Sequence, residues 1–147
     1  MAKHYYPTIF FRDETASGKK IFDAVVPDIQ GCFTQGEDLA DAMFWIVDAI
    51  GTCLDGVAEK DFPKPSEIDR IDLSEYPADA FVNIIEFDAE KYFHTIRFAA
   101  KKAGFTIKQT AELLGAPYRT VQDWFSGRRN PPPWLERLVV KEIQSAL

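Results

Sequence analysis

The residues best suited to chemistry stand close together near the end of the 147-residue chain, in Tyr118-Arg-Thr-Val-Gln-Asp-Trp-Phe-Ser-Gly127. Arg119 can donate two parallel hydrogen bonds to a guanine, and Gln122 can pair with an adenine in the same bidentate manner. Tyr118 and Thr120 flank Arg119, so the first turn of a helix here would present three polar side chains to base edges in a major groove. Packing on the protein surface is the other reading of Tyr118. Asp123 would repel phosphate, so it either accepts a hydrogen bond from a cytosine or pairs with a nearby arginine. Arg128, Arg129 and Asn130 follow at once, where backbone phosphates should lie. Thr106, Lys108 and Gln109 open the preceding helix and are candidates for the same role. Phosphate contacts set affinity and salt dependence, whereas base contacts set sequence choice.

Such side chains reach a groove only if two helices cross steeply. Ala111, four residues before Gly115, supplies the small side chain needed where the helices approach closest. Gly115 supplies a turn with positive φ. Leu114, Val121 and Trp124 are expected in the shared core. Thr106 is a good N-cap for the first helix, and Pro117 suits the first turn of the second. The spacing therefore predicts a helix-turn-helix, with helices over 106–114 and from about Pro117 to Gly127. A further helix is expected before it, over 90–103. Pro131-Pro-Pro133 should open a last one, carrying Trp134, Leu135, Leu138, Val139 and Ile143 on one face. That stripe either completes a small helical core or forms a dimer interface, since such modules usually act as symmetric dimers on paired half-sites.

The first part of the chain reads differently. Tyr5–Phe11, Ile21–Val26 and Ala80–Phe87 are rich in aromatic and β-branched residues and predict strands. Residues 31–36 form a short extended piece between two glycines. From Asp38 or Leu39 to about Glu59, apolar residues recur at steps of three and four and predict one long helix. Phe44 and Trp45 lie off that stripe, where they cover a second surface or meet a partner. This is a small α+β domain, an antiparallel sheet plus one long helix, over residues 1–88, followed by an all-α domain over 89–147. Cys32 and Cys53 lack metal-ligand spacing and are expected to be reduced, buried thiols.

Charge divides the chain in the same place. Residues 1–90 hold 7 Lys/Arg against 19 Asp/Glu, a balance of -12, while residues 91–147 hold 10 against 4, a balance of +6. The acidic part should attract a basic protein and repel nucleic acid; the basic part should do the reverse. No apolar run is long enough to span a membrane, and the N-terminus lacks the apolar stretch of a signal peptide, so a cytoplasmic location is expected. His4 and His94 stand apart, and no nucleophile motif, phosphate loop or metal-ligand pair occurs. The chain is expected not to be an enzyme and to need neither a metal nor a cofactor.

Several stretches resemble a known family. Tyr6-Pro-Thr-Ile-Phe10, Val26-Pro-Asp-Ile-Gln-Gly-Cys-Phe-Thr-Gln-Gly36, Leu39-Ala-Asp-Ala42 and Pro63-Lys-Pro-Ser66 occur in the order and spacing of HicB antitoxins, across about residues 5–88. The resemblance implies a partial RNase H-like fold for the first domain, without nuclease activity. It implies that this domain masks the active site of a small basic ribonuclease toxin, HicA, and that a C-terminal helix-turn-helix represses the shared operon by binding double-stranded operator DNA as a homo-oligomer, dimeric or higher. Toxin contacts vary within the family, so no toxin-binding residue is assigned. The competing readings are a stand-alone transcription regulator whose first domain senses a small ligand and, more remotely, a nuclease on an RNase H-like scaffold.

Overall fold

The structure, a computed structural model, describes residues 3–147. The chain forms two compact units, Met1–Ala89 and Glu90–Leu147. In the first, β1 (Lys3–Glu14), β2 (Lys20–Val25), β3 (Phe33–Gly36) and β4 (Phe81–Asp88) build an antiparallel sheet in the order β3-β2-β1-β4. The β1–β2 turn closes on Thr15, whose hydroxyl and carbonyl accept from the amides of Lys19 and Gly18. Side chains alternate across a strand. The register therefore sends Tyr6, Phe10, Ala24, Ile85 and Phe87 to one face, where all are buried.

The helix α1 (Leu39–Leu54) packs on the sheet with Ala42, Ile46, Ile50 and Leu54 buried. The closest approach is at Gly36: a Cβ there would stand 2.2 Å from the backbone nitrogen of Ala42. Asp38 caps the helix by accepting from the amide of Asp41, and Asp41 returns the bond to the amide of Glu37. The helix is shorter than the expected span to Glu59. Asp55 turns extended and Gly56 takes φ +84°, so residues Glu59–Asp61 form a separate 3-10 turn. The long connection to β4 stays against the sheet. Tyr6 donates to the carbonyl of Pro63 at 2.8 Å, Ser66 bonds the Asp28 carboxylate, and Tyr76 packs on Phe11 with ring centroids 5.4 Å apart. This explains why β1 is buried continuously from Tyr6 to Phe10.

The second part of the chain is helical. The single helix expected over 90–103 is instead two, α2 (Ala89–Tyr92) and α3 (Ile96–Ala103). Thr95 makes the break: its hydroxyl donates to the Tyr92 carbonyl and accepts from the Phe98 amide, ending one helix and capping the next. Then come α4 (Ile107–Leu114), α5 (Tyr118–Ser126) and α6 (Pro133–Ser145). Their core is Ile96, Ala99, Ala100, Val139, Val140 and Ile143, with Leu114, Trp124 and Leu135 packed against it. The apolar stripe of the last helix thus divides. Val139 and Ile143 complete the core, while Trp134 and Leu138 remain 59% and 57% exposed. Among the described residues, no helix is long and apolar enough to cross a membrane.

Candidate nucleic-acid interface

Two short helices and a tight turn set the geometry. Thr106 and Gln109 form a reciprocal cap: the Thr106 hydroxyl accepts from the Gln109 amide at 3.1 Å, and the Gln109 side-chain carbonyl accepts from the Thr106 amide at 2.9 Å. The Gln109 carbonyl is thereby occupied, while its NH2 group still carries donors. At the other end of α4, Gly115 takes φ +64°, the left-handed conformation that a Cβ disfavours. The amide of Ala116 returns to the carbonyl of Ala111 at 3.0 Å and closes the helix. Pro117 is extended and starts α5, with its carbonyl accepting from Thr120 and Val121. Ala111 and Val121 are buried, and Leu114 and Trp124 are half-buried in the core, as their spacing predicts.

This packing fixes which side of α5 is open. Tyr118, Arg119 and Gln122 are exposed, and Thr120 is half-buried. Lys108, Arg128, Arg129 and Asn130 are exposed as well. Asp123 differs from its neighbours, since it is buried. One of its carboxylate oxygens lies 3.7 Å from Arg119 Nε and the other 3.9 Å from Arg129 Nε. Its backbone carbonyl also accepts from the Arg129 amide. Of the two expectations for Asp123, the geometry supports pairing with arginine rather than reaching a base. Exposed ion pairs of this length add little stability. Their effect is positional: a sunken carboxylate holds one guanidinium near each end of α5.

Arg97 has a role that its sequence position did not reveal. It donates through Nη1 to the carbonyl of Phe125 at 3.0 Å, tying α3 to the last turn of α5. An arginine between the apolar Ile96 and Phe98 is the one signal that could have suggested it.

The first unit carries titratable groups of a different kind. Burial, reinforced by the neighbouring Cys53, pushes the Cys32 thiol up to about 12, so it stays protonated and unreactive. Cys53 is only half-buried, contrary to expectation, with its sulfur 3.8 Å from the Gly31 carbonyl. Asp13 and Asp23 lie on one face of the β1–β2 pair. Burial, and the hydrogen bond that the protonated Asp23 carboxyl donates to the Asp13 carboxylate, raise Asp23 to about 6. His4 bonds Glu59 at 3.1 Å and packs edge-on against Phe62; His94 contacts the Glu90 carbonyl. Phe44 and Trp45 are half-buried and pack against each other at 5.0 Å, with the Trp45 indole donating to Asp41. Among the described residues, no group of three His, Cys, Asp or Glu side chains is arranged to hold a metal ion.

The model of the HicB-like antitoxins of bacterial toxin–antitoxin systems matches residues 6–109, well over half of the chain, and the protein belongs to that family. Among solved structures, a toxin–antitoxin complex from Streptococcus pneumoniae is similar over 86% of this chain and 99% of that one, with a TM-score of 0.50 and 17% identity. At that identity the likeness is one of fold. A crystal structure of the antitoxin HicB3 is 28% identical over 60% of this chain and 65% of its own, with a TM-score of 0.45. Among curated proteins, none matches the chain.

Proposed function

We propose that this protein is an antitoxin that binds and neutralises a small basic ribonuclease toxin of the HicA kind, and represses the operon encoding both by binding operator DNA. Family membership supports the antitoxin role. The acidity of residues 1–90 suits a basic protein partner; the partial RNase H-like, non-enzymatic scaffold is what the family resemblance implies. For DNA, the observation that carries the reading is the elbow at Gly115. It anchors α5 through Val121 and leaves Tyr118, Arg119 and Gln122 facing outward. A helix-turn-helix places its second helix in the major groove through just such a face. In this reading Arg119 and Gln122 read bases, with Tyr118 and Thr120 beside them. Lys108, Gln109, Arg128, Arg129 and Asn130 contact phosphate, and Thr106 joins them at the start of α4. Two copies bind paired half-sites, and the exposed Trp134 and Leu138 supply apolar surface for their association.

The test has two arms. The short reading frame that this reading expects beside the gene is expressed alone and together with this chain. Growth arrest by the first and rescue by the second are expected. The purified chain is then titrated against its own promoter and a scrambled duplex. Failure to rescue removes the antitoxin role, and equal affinity for both duplexes removes the repressor role.

A further inference from the structure

We propose that the outer edge of β4 receives an extended strand from a basic protein partner. The inference rests on the antitoxin reading and adds the surface that would carry it.

β4 is an edge strand, with β1 on one side. Its eight residues, Phe81-Val-Asn-Ile-Ile-Glu-Phe-Asp88, pair with β1 in unbroken register from Phe81 to Asp88. Edge strands are normally blunted by a proline, a lysine, a bulge or short length, because they offer unpaired backbone groups to any passing strand. β4 has eight residues and no proline, lysine or bulge. Its only charged side chains, Glu86 and Asp88, are acidic and would repel an acidic strand but not a basic one. The other edge, β3, has four residues and is the poorer template.

The backbone shows which groups are on offer. In an antiparallel ladder, successive residues direct their N–H and C=O to opposite sides. The Ile84 amide is directed at the side chain of Asn83, 2.9 Å away, instead of at β1. Val82, Ile84 and Glu86 therefore present their backbone groups outward, and the Asn83 amide side chain occupies a position that an incoming carbonyl would take. Apolar side chains flank the edge. Ile84 is 42% exposed, and Tyr5, 50% exposed, shares its face of the sheet. An added strand would lie directly beside Ile84, while Tyr5 extends the apolar surface on the next strand inward.

Charge selects the occupant. Residues 71–90 contain six acidic side chains and no lysine or arginine. Lys3 meets Glu86 at 3.4 Å from the neighbouring strand, which offsets one of them. A second copy pairing through the same edge would bring two such segments together, with like charges side by side. A cationic strand meets the opposite situation. Strand addition of this type takes affinity from main-chain bonds and specificity from alternate side chains.

The test uses the full chain and the small basic protein that the antitoxin reading expects to be encoded beside its gene. Hydrogen exchange is followed in the free chain and in the complex, and slowing of at least about tenfold is expected at the outward amides of Ile84 and Glu86. Ile84→Pro removes an amide that the β1 ladder does not use; Ile84→Lys keeps the strand and adds the missing guard charge. Each should weaken the complex by at least about tenfold and leave operator binding unchanged. A complex that forms with unaltered exchange at this edge, and that tolerates Ile84→Lys, overturns the proposal while leaving the antitoxin reading intact. No complex with the unaltered chain overturns both. Protection that depends on the concentration of the free chain, and vanishes in Ile84→Lys, overturns the proposal in favour of self-association.

Discussion

Arg119 and Arg128 are both exposed arginines within ten residues of each other, yet their settings assign them different work. Arg119 projects from the first turn of α5 and is steadied by the sunken Asp123 carboxylate. Arg128 lies past the end of the helix, with no such fixed partner in the ion pairs around Asp123. If α5 enters a major groove, Arg119→Ala should cost about 1–3 kcal/mol on operator DNA and relax preference at one base position. Arg128→Ala should weaken operator and scrambled duplex alike and reduce the log–log salt slope by about one. Anisotropy titrations at several salt concentrations distinguish the two; equal losses on both duplexes for Arg119→Ala would remove it as a base reader.

Asp23 makes a separate prediction at the same scale. Its carboxyl holds a proton more tightly in the folded chain, where its pKa is about 6, than in a free aspartate, at 3.8. The stability it contributes is therefore fully present below about pH 4 and is lost as pH rises through 6. Asp23→Asn removes the half-buried charge and should raise Tm at pH 7.5 by a few degrees, on the order of 1 kcal/mol after allowing for partial exposure and for sharing of the proton with Asp13. At pH 4.5 the two proteins should melt nearly together. A Tm difference that does not change with pH would show that Asp23 is ionised without penalty.

Among the elements, two glycines show how differently one residue type can matter. A Cβ at Gly36 would overlap the backbone of α1, so strand and helix would have to separate. A Cβ at Gly115 meets nothing within 4 Å, leaving only the cost of a positive φ. Gly36→Ala should destabilise the chain by about 2–3 kcal/mol or more, and Gly115→Ala by about 1 kcal/mol. Urea unfolding followed separately in each unit checks the order, and a milder effect at Gly36 would refute the close-approach argument. The same contrast explains what could be read from the sequence. Thr106, Gly115 and Pro117 are local signals, sufficient to place α4 and α5 and hence the exposed face of Arg119. The apolar pattern overshoots the end of α1 because Val57 continues the period, although Gly56 has already turned the chain. The break at Thr95 leaves no local mark, because a capping threonine inside an apolar pattern looks like any other helical residue. The β1–β4 register, the Asp13–Asp23 pair and the Arg97–Phe125 bond join residues far apart in sequence or unmarked by spacing, so no local pattern encodes them.

At the scale of the whole molecule, the opposed charges of the two halves predict that salt acts on the two proposed partners in different ways. DNA binding releases condensed counterions, so its equilibrium affinity should fall steeply as salt rises. A basic protein approaching the acidic half is instead steered by a diffuse field of -12 over residues 1–90. Such a field acts beyond contact distance, and at about 0.1 M salt it is screened over about 10 Å. Its influence is therefore on encounter rather than on the docked complex, which in the proposed mode is held by apolar side chains and main-chain bonds that respond little to salt. Raising salt from about 0.05 to 0.5 M should slow association with the partner by about tenfold or more and change dissociation less than about threefold. Stopped-flow mixing followed by dilution measures both rates. A salt effect confined to dissociation would mean that close ion pairs, not the long-range field of the acidic half, hold the partner.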